Sequence, residues 1–528
     1  MNFKNLKIKL TKTKILFIII TCIAIYLRMI NIVSEQLWHD EAGTIYYANS
    51  TWEHLYREVS AEKNPILYYT ILKLWISVFG QSIFATRLLS VIFSVLTIPV
   101  LFYLGKEIKN EKLSLIMIFL YAISPFSIWY ANEVRMYSLL HLLFTIDLYF
   151  AIKCVKNPIE RKYYAYFSIT AVCLIYTHYI GVVYLIILGL GIFYFNRKEK
   201  NFYKNAFFSL IFIIICYLPW IPQAIRDVLE GPTAYTGGRL NLINLSYWSF
   251  YLFVAPVPSY INDPYVLNLI MLAFLINIPI LILSFIGILG FLYQLKSKDY
   301  PELKKLFTFI LLTLILFFGI QIIIGFLIPD TFQAKNLIGG LSLVLVLEGF
   351  GLYYLFLEPN KSASKYRFKK LLKVIKLKDL KKFGYVLIFS ILICNLVIFP
   401  IFKSVYLQKP DWDGCVKKLK DKFEDSDIVI NQYGINQLPA EMKYYCEIHD
   451  FDFEDNTFNL EYDKDEIKDF IDDLYKENIS RVWIIGYWHH ITDPDGETED
   501  KLIDKYNFDE IKEYNFRLDL TLTLYEIP

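Results

Sequence analysis

The chain is 528 residues long, 55% of them hydrophobic and 17% aromatic, with a mean hydropathy of +0.39. Soluble domains of that total length do not carry so much apolar surface, so most of the chain belongs in lipid. The formal net charge of +2 hides a division: residues 1–410 hold 41 Lys/Arg against 21 Asp/Glu and residues 411–528 hold 13 against 31, which separates a basic membrane body from an acidic soluble tail.

Along the chain, the basic stretch Lys4 to Lys14 precedes an apolar run over 15–33. With no small-residue cleavage pattern after it, the run predicts a retained first transmembrane helix and not a signal peptide. Further spans are expected near 86–104, 114–131, 136–152, 163–178, 179–195, 205–222, 265–292, 306–328, 336–357 and 384–402, about eleven in all. Basic residues crowd 4–14, Lys106 to Lys112, Lys153 to Lys162, Arg197 to Lys204, Lys296 to Lys305 and Lys361 to Lys382, which alternate along this path and assign those loops to the cytoplasm. The N-terminus is then cytoplasmic, while 34–85, 132–135, 223–264, 329–335 and the tail 403–528 face outside. Residues 65–79 are apolar but short and contain Lys73; as a span they would invert every later loop, so they are expected to lie in the outer interface. Arg28 and Arg87, near the outer ends of their helices, are expected to snorkel, and Asp147 to face the bundle interior.

Seven scattered cysteines form no CxxC pair and no His/Cys cluster, which excludes a zinc ribbon or a redox motif. Cys415 and Cys446 share the tail, and whether they pair stays open. The tail predicts a small α/β unit, with a helix over 463–478 and strands at 427–431, 481–486 and 517–527. The expected architecture is therefore an α-helical polytopic membrane protein: a membrane domain over 1–402, with an outer loop and interfacial helices at 34–85, and an extracytoplasmic α/β domain over 403–528.

Polar groups in the outer segments gather at a few places. Asp40 and Glu41 follow the first span, and adjacent carboxylates near lipid need a task or a counter-charge. Glu133 and Arg135 occupy a very short connection, His178 a tight turn, and Lys335 another connection, where it is the kind of cation that would hold a lipid phosphate. Taken singly, each place also suits a plain solvated or interfacial loop. A secondary transporter or a non-catalytic assembly protein would share the span count, but no repeated halves are visible.

In order and sidedness, Asp40-Glu41, Asn64-Pro-Ile-Leu-Tyr-Tyr69, Phe79-Gly80 with Arg87-Leu88, and Glu133-Val-Arg135-Met-Tyr137 resemble the membrane glycosyltransferases of the GT-C type, on the branch of protein O-mannosyltransferases and lipid A aminoarabinose transferases. This sequence reads Asn64-Pro65-Ile66 where that family has His-Pro-Pro or Lys-Pro-Pro, a departure that bears on Asn64 as a ligand. The resemblance implies a polyprenyl-phosphate-linked sugar donor in the lipid bilayer, transfer on the outer face with inversion, and an acceptor hydroxyl on protein, lipid or glycan; no nucleic-acid partner is expected. On that reading Asp40 and Glu41 are catalytic, with Asp40 the general base. Arg135, Lys335 and His178 hold the donor phosphate, and Glu133, Asn64 and Tyr137 support them. Some relatives are metal-dependent and others are not, so the resemblance commits to no cofactor; a divalent ion, if used, would be held by Asp40 and Glu133.

Overall fold

Each apolar stretch marked as a span carries helix over most of its described residues, because a backbone in hydrocarbon must satisfy its own hydrogen bonds. The structure is a computed structural model that describes residues 11–230, 278–290, 292, 301–327, 334–356, 377–398, 400, 409–431, 439–452, 457–459, 481–486, 509–516 and 520–526. Among these, Ile83–Ile108, Tyr137–Lys156, Lys200–Glu230 and Lys304–Leu327 are long and apolar enough to cross a membrane. Helices Glu111–Ile123 and Pro125–Ala131 make a fifth if their 61° bend is one broken span. The break falls where Ser124 caps the second helix, accepting from the Ser127 amide, with Pro125 at its first position. Helices Lys12–Met29, Arg161–Ile175, Ile180–Asn196, Ile278–Gly290, Gly340–Phe356 and Leu377–Ile393 occupy the other expected spans but are shorter or less apolar. The first part of the stretch expected at 265–292 lies outside the described residues.

The helix Leu67–Phe79 has 13 residues. At 1.5 Å per residue it is about 20 Å long, too short for the roughly 30 Å of hydrocarbon. Gly80 closes it with a φ of 79°, a backbone angle that suits glycine alone.

The contacts divide the chain into two compact units, Met1–Ile32 with Thr51–Lys403, and Val33–Ser50 with Ser404–Pro528. The division differs from the expected one at residues 33–50, which group with the tail. In the first unit the helices Lys12–Met29 and Lys200–Tyr217 expose Ile15, Leu16, Ile18 and Ile19, and Phe207, Phe208, Leu210 and Ile215. Such surface is stable only against lipid. The helix Ile221–Glu230 turns its polar Gln223 and Asp227 inward, where Asp227 accepts from Tyr179 Oη at 2.5 Å, and leaves Ile225, Val228 and Leu229 exposed.

Arg28 and Arg87 do not snorkel. Arg28 is fully buried and donates to Ser94 Oγ, Ser127 Oγ and the carbonyls of Ala24, Tyr121 and Ala122, while Arg87 donates to the Ile32 carbonyl. A guanidinium with several acceptors among packed helices gains more there than at the headgroups. Asp147 is fully buried and accepts from the Thr170 hydroxyl.

The second unit holds a five-stranded sheet of order β2-β1-β3-β5-β4, with β1 Ile428–Asn431, β2 Thr457–Asn459, β3 Arg481–Gly486, β4 Asp509–Phe516 and β5 Leu520–Glu526. Strand β1 runs parallel to β2 and β3, and β5 antiparallel to β3 and β4. The expected strands are β1, β3 and β5; β2 and β4 were not anticipated, and the helix expected at 463–478 lies outside the described residues. Val429, Ile430, Trp483, Ile484 and Leu522 form the core with Trp412 and Leu419 of the helix Trp412–Lys422. Cys415 and Cys446 are not joined in a disulfide and are buried on the helices Trp412–Lys422 and Ala440–Ile448.

Candidate active site

Three short connections of the first unit bring its candidate residues together. The first joins Pro125–Ala131 to Tyr137–Lys156. Glu133 and Arg135 in it are only 4% and 6% exposed, so they are not solvated loop charges. Trp129 Nε1 donates to Glu133 Oε1 at 2.6 Å, and Arg135 Nη1 donates to the Tyr69 hydroxyl at 3.3 Å. Tyr69 ends the Asn64-Pro-Ile-Leu-Tyr-Tyr motif, so the two motifs meet through this bond. Tyr137 opens the next helix, buried with its ring 4.9 Å from that of Tyr130. Its observed work is packing.

Asn64 closes a turn. Its amide N–H donates to the Val59 carbonyl and its side chain to that of Glu62, beyond Lys63 at a φ of 53°. The second connection, 176–179, lies beside it: the Leu67 N–H donates to the Tyr176 carbonyl at 2.9 Å. There His178 Nδ1 accepts from the Ile180 N–H at 3.1 Å, capping the start of Ile180–Asn196. The third, Ala334–Leu337, carries Lys335. It is tied down where the Asn336 carbonyl accepts from Tyr184 Oη at 2.6 Å and from Gln321 Nε2 at 3.2 Å.

His178 reports on how these connections converge. Its surroundings depress its imidazole pKa to about 3, first by desolvation and then by the positive charges of Lys335 and Arg135. All three side chains therefore share one electrostatic neighbourhood. A neutral ring whose Nδ1 accepts must carry its proton on Nε2, which leaves an N–H to donate beside two cations. Two positive charges and a neutral donor are the kind of groups that can hold a phosphate.

A test follows from the sign of that shift. Below about pH 6.5, the ordinary imidazole value, the unfolded chain binds a proton that folded His178 takes up only near pH 3. Stability is thus lost as pH falls through that window. His178→Asn, which keeps an acceptor for Ile180, is expected to lose less thermal stability than the parent between pH 7 and 4.5. Equal losses would show that this ring is not held neutral.

Asp40 and Glu41 belong to the second unit, in the first turn of the helix His39–Asn49, where free amide groups favour negative charge. Asp40 is half-buried. Glu41 is fully buried and accepts from Lys409 Nζ at 2.5 Å, an ion pair that explains how the second of two adjacent carboxylates is neutralised. Asp40 and Glu133, the ligands considered for a metal, fall in different units. Among the described residues no group of three or more His, Cys, Asp or Glu is placed to hold a metal ion.

Sequence reasoning passed over Tyr69, Trp129, Asp227 and Lys409 as partners. Asp227 and Gln223 stand four apart on one helical face, with Gln223 Nε2 donating to Asp227 Oδ1 at 2.6 Å, and that spacing was a usable signal. Nothing local marks Lys409.

Residues 63–222 match the family described as dolichyl-phosphate-mannose-protein mannosyltransferase. No curated protein matches the chain. Among solved structures, ArnT from Cupriavidus metallidurans in the apo state is similar over 96% of this chain and 97% of its own, at 11% identity and a TM-score of 0.56. The oligosaccharyltransferase of Archaeoglobus fulgidus is similar over 90% and 70%, at 12% identity and a TM-score of 0.51. The arabinofuranosyltransferase AftD from Mycobacteria is similar over 97% and 40%, at 9% identity and 0.51. The family match thus spans the stretch that carries Arg135 and His178, under a third of the chain, while over nearly its whole length the chain has a fold similar to that of these membrane glycosyltransferases.

Proposed function

We propose that the protein transfers a sugar from a polyprenyl-phosphate donor to an acceptor hydroxyl on the outer face of the membrane, with inversion at the anomeric carbon. The feature that supports this reading is that the positive charges of Lys335 and Arg135, from two other connections of the first unit, both act on His178. A soluble nucleotide-sugar enzyme has no need of a phosphate site among membrane helices; a donor held in the bilayer does. In keeping with this, ArnT from Cupriavidus metallidurans has also been solved bound to undecaprenyl phosphate, and that structure is similar to this chain at a TM-score of 0.53.

In the proposed reaction the acceptor oxygen forms a bond to the anomeric carbon as the bond from that carbon to the phosphate oxygen breaks. The electron pair leaves with the lipid phosphate, which goes from one negative charge to about two. Arg135 and Lys335 offset that charge and His178 donates from Nε2. The acceptor proton passes to Asp40, which the resemblance and its half-buried carboxylate single out as the base. Glu133 and Tyr69 orient the Arg135 loop. The cytoplasmic N-terminus and outer tail are part of the same proposal, supported by the alternation of basic loops.

Sealed membrane vesicles of both orientations, carrying a panel of radiolabelled polyprenyl-phosphate sugars, test donor and sidedness together. Right-side-out vesicles are expected to transfer label from one of these lipids to an external acceptor, and inverted vesicles only once permeabilised. Transfer to external acceptor from intact inverted vesicles would reverse the topology; no transfer from any lipid-phosphate sugar would remove the donor class.

A further inference from the structure

Within the second unit, the residues on either side of Asp40 are both anchored to the tail. His39 Nδ1 lies 3.1 Å from Glu441 Oε2, whose side chain is 1% exposed. Glu41 pairs with Lys409, whose side chain is 9% exposed. The anchoring continues outward: the Leu37 N–H donates to the Tyr445 hydroxyl at 3.1 Å and that hydroxyl donates to Gln36 Oε1 at 2.5 Å. Beyond Asp40, Asn49 Nδ2 donates to Glu447 Oε1 at 3.3 Å, and Lys443 Nζ stands 5.1 Å from the centre of the Tyr46 ring.

Side chains in a helix are about 100° apart, so positions 39 and 41 point about 200° apart around its axis. Fixing both removes rotation about that axis, the motion that would displace the carboxylate between them. A buried Lys–Glu pair is a poor device for stability alone, because desolvating two charges costs about as much as their attraction returns, and apolar residues would serve as well. Its gain is geometry. We infer that Lys409 and Glu441 are positioning residues for Asp40, so that the tail domain sets the aim of the base. This rests on the reading of Asp40 as the general base.

The test uses the full chain in lipid nanodiscs with a polyprenyl-phosphate sugar in single-turnover and steady-state assays. Lys409→Met is expected to lower kcat by about 100-fold with the donor KM unchanged, the order of loss that a displacement of about 1 Å brings. Lys409→Arg, which keeps the charge, is expected to recover most of it. The double variant Asp40→Asn with Lys409→Met should be no slower than Asp40→Asn alone, because both act through one group. Additive losses, or a Lys409→Met enzyme with full kcat, would overturn the inference. Should Lys409→Met not fold, the near-isosteric Glu441→Gln decides in its place, with about a 10-fold loss of kcat expected and full kcat overturning the inference. An active Asp40→Asn would remove the base itself, whereas an inactive Asp40→Asn beside a fully active Lys409→Met removes the positioning role alone.

Discussion

Asp40→Asn is expected to lower sugar transfer by about 10²–10⁴-fold, the range a positioned general base contributes, while membrane insertion and abundance stay at parental levels. Asn has nearly the shape of Asp and leaves Glu41 in its ion pair with Lys409, so the helix His39–Asn49 keeps its anchors. The loss should fall in kcat and spare donor binding, since the proton is handed over only as the acceptor attacks. Donor titration with a polyprenyl phosphate, read beside the rate, separates the two. Unaltered turnover by the purified variant would take Asp40 out of the mechanism, and an Asp40→Asn enzyme that no longer bound donor would move it to the phosphate.

The sequence displayed the membrane body well, because a span declares itself through twenty neighbouring residues and basic loops repeat the message in alternation. β1, β3 and β5 were legible for the same local reason, being short apolar or alternating runs. Strand β4 was not: Asp-Glu-Ile-Lys-Glu-Tyr-Asn-Phe at 509–516 lies at the sheet edge, where charge guards against further pairing and erases the apolar alternation that marks a strand. Arg28 read as a snorkelling residue because its five acceptors lie on other turns and helices, Ser94 being 66 residues away.

Pairings between distant segments were hidden altogether. Residues 33–50 looked like an outer loop of the membrane domain, yet Gln36 meets Tyr445 across 409 positions and Glu41 meets Lys409 across 368. Likewise the proposed phosphate site was visible only as separate interfacial residues, because the charges of Lys335 and Arg135 that act on His178 come from connections far apart in the chain.

Arg135 is the member of that site whose replacement should cost most. Its guanidinium is buried, so it meets a phosphate with little competing water, and its planar fork can hold two oxygens at once. Truncating one partner of such a contact costs about 2–5 kcal/mol, which corresponds to about 30- to 4,000-fold in kcat/KM for Arg135→Ala. Arg135→Lys keeps the charge but loses the fork and should fall between. Lys335→Gln, which removes a less buried point charge, should cost about tenfold. Since the phosphate gains charge as it leaves, part of the Arg135 loss must appear in kcat and not in donor KM alone. Arg135 also donates to Tyr69, so a purely structural loss has to be separated from a chemical one. Tyr69→Phe removes that bond while preserving the ring and should leave most activity intact. If Tyr69→Phe proves as damaging as Arg135→Ala, the guanidinium serves the fold of the 132–136 connection and the phosphate assignment passes to Lys335 and His178; if Arg135→Ala retains full kcat/KM, the site as drawn does not hold the donor.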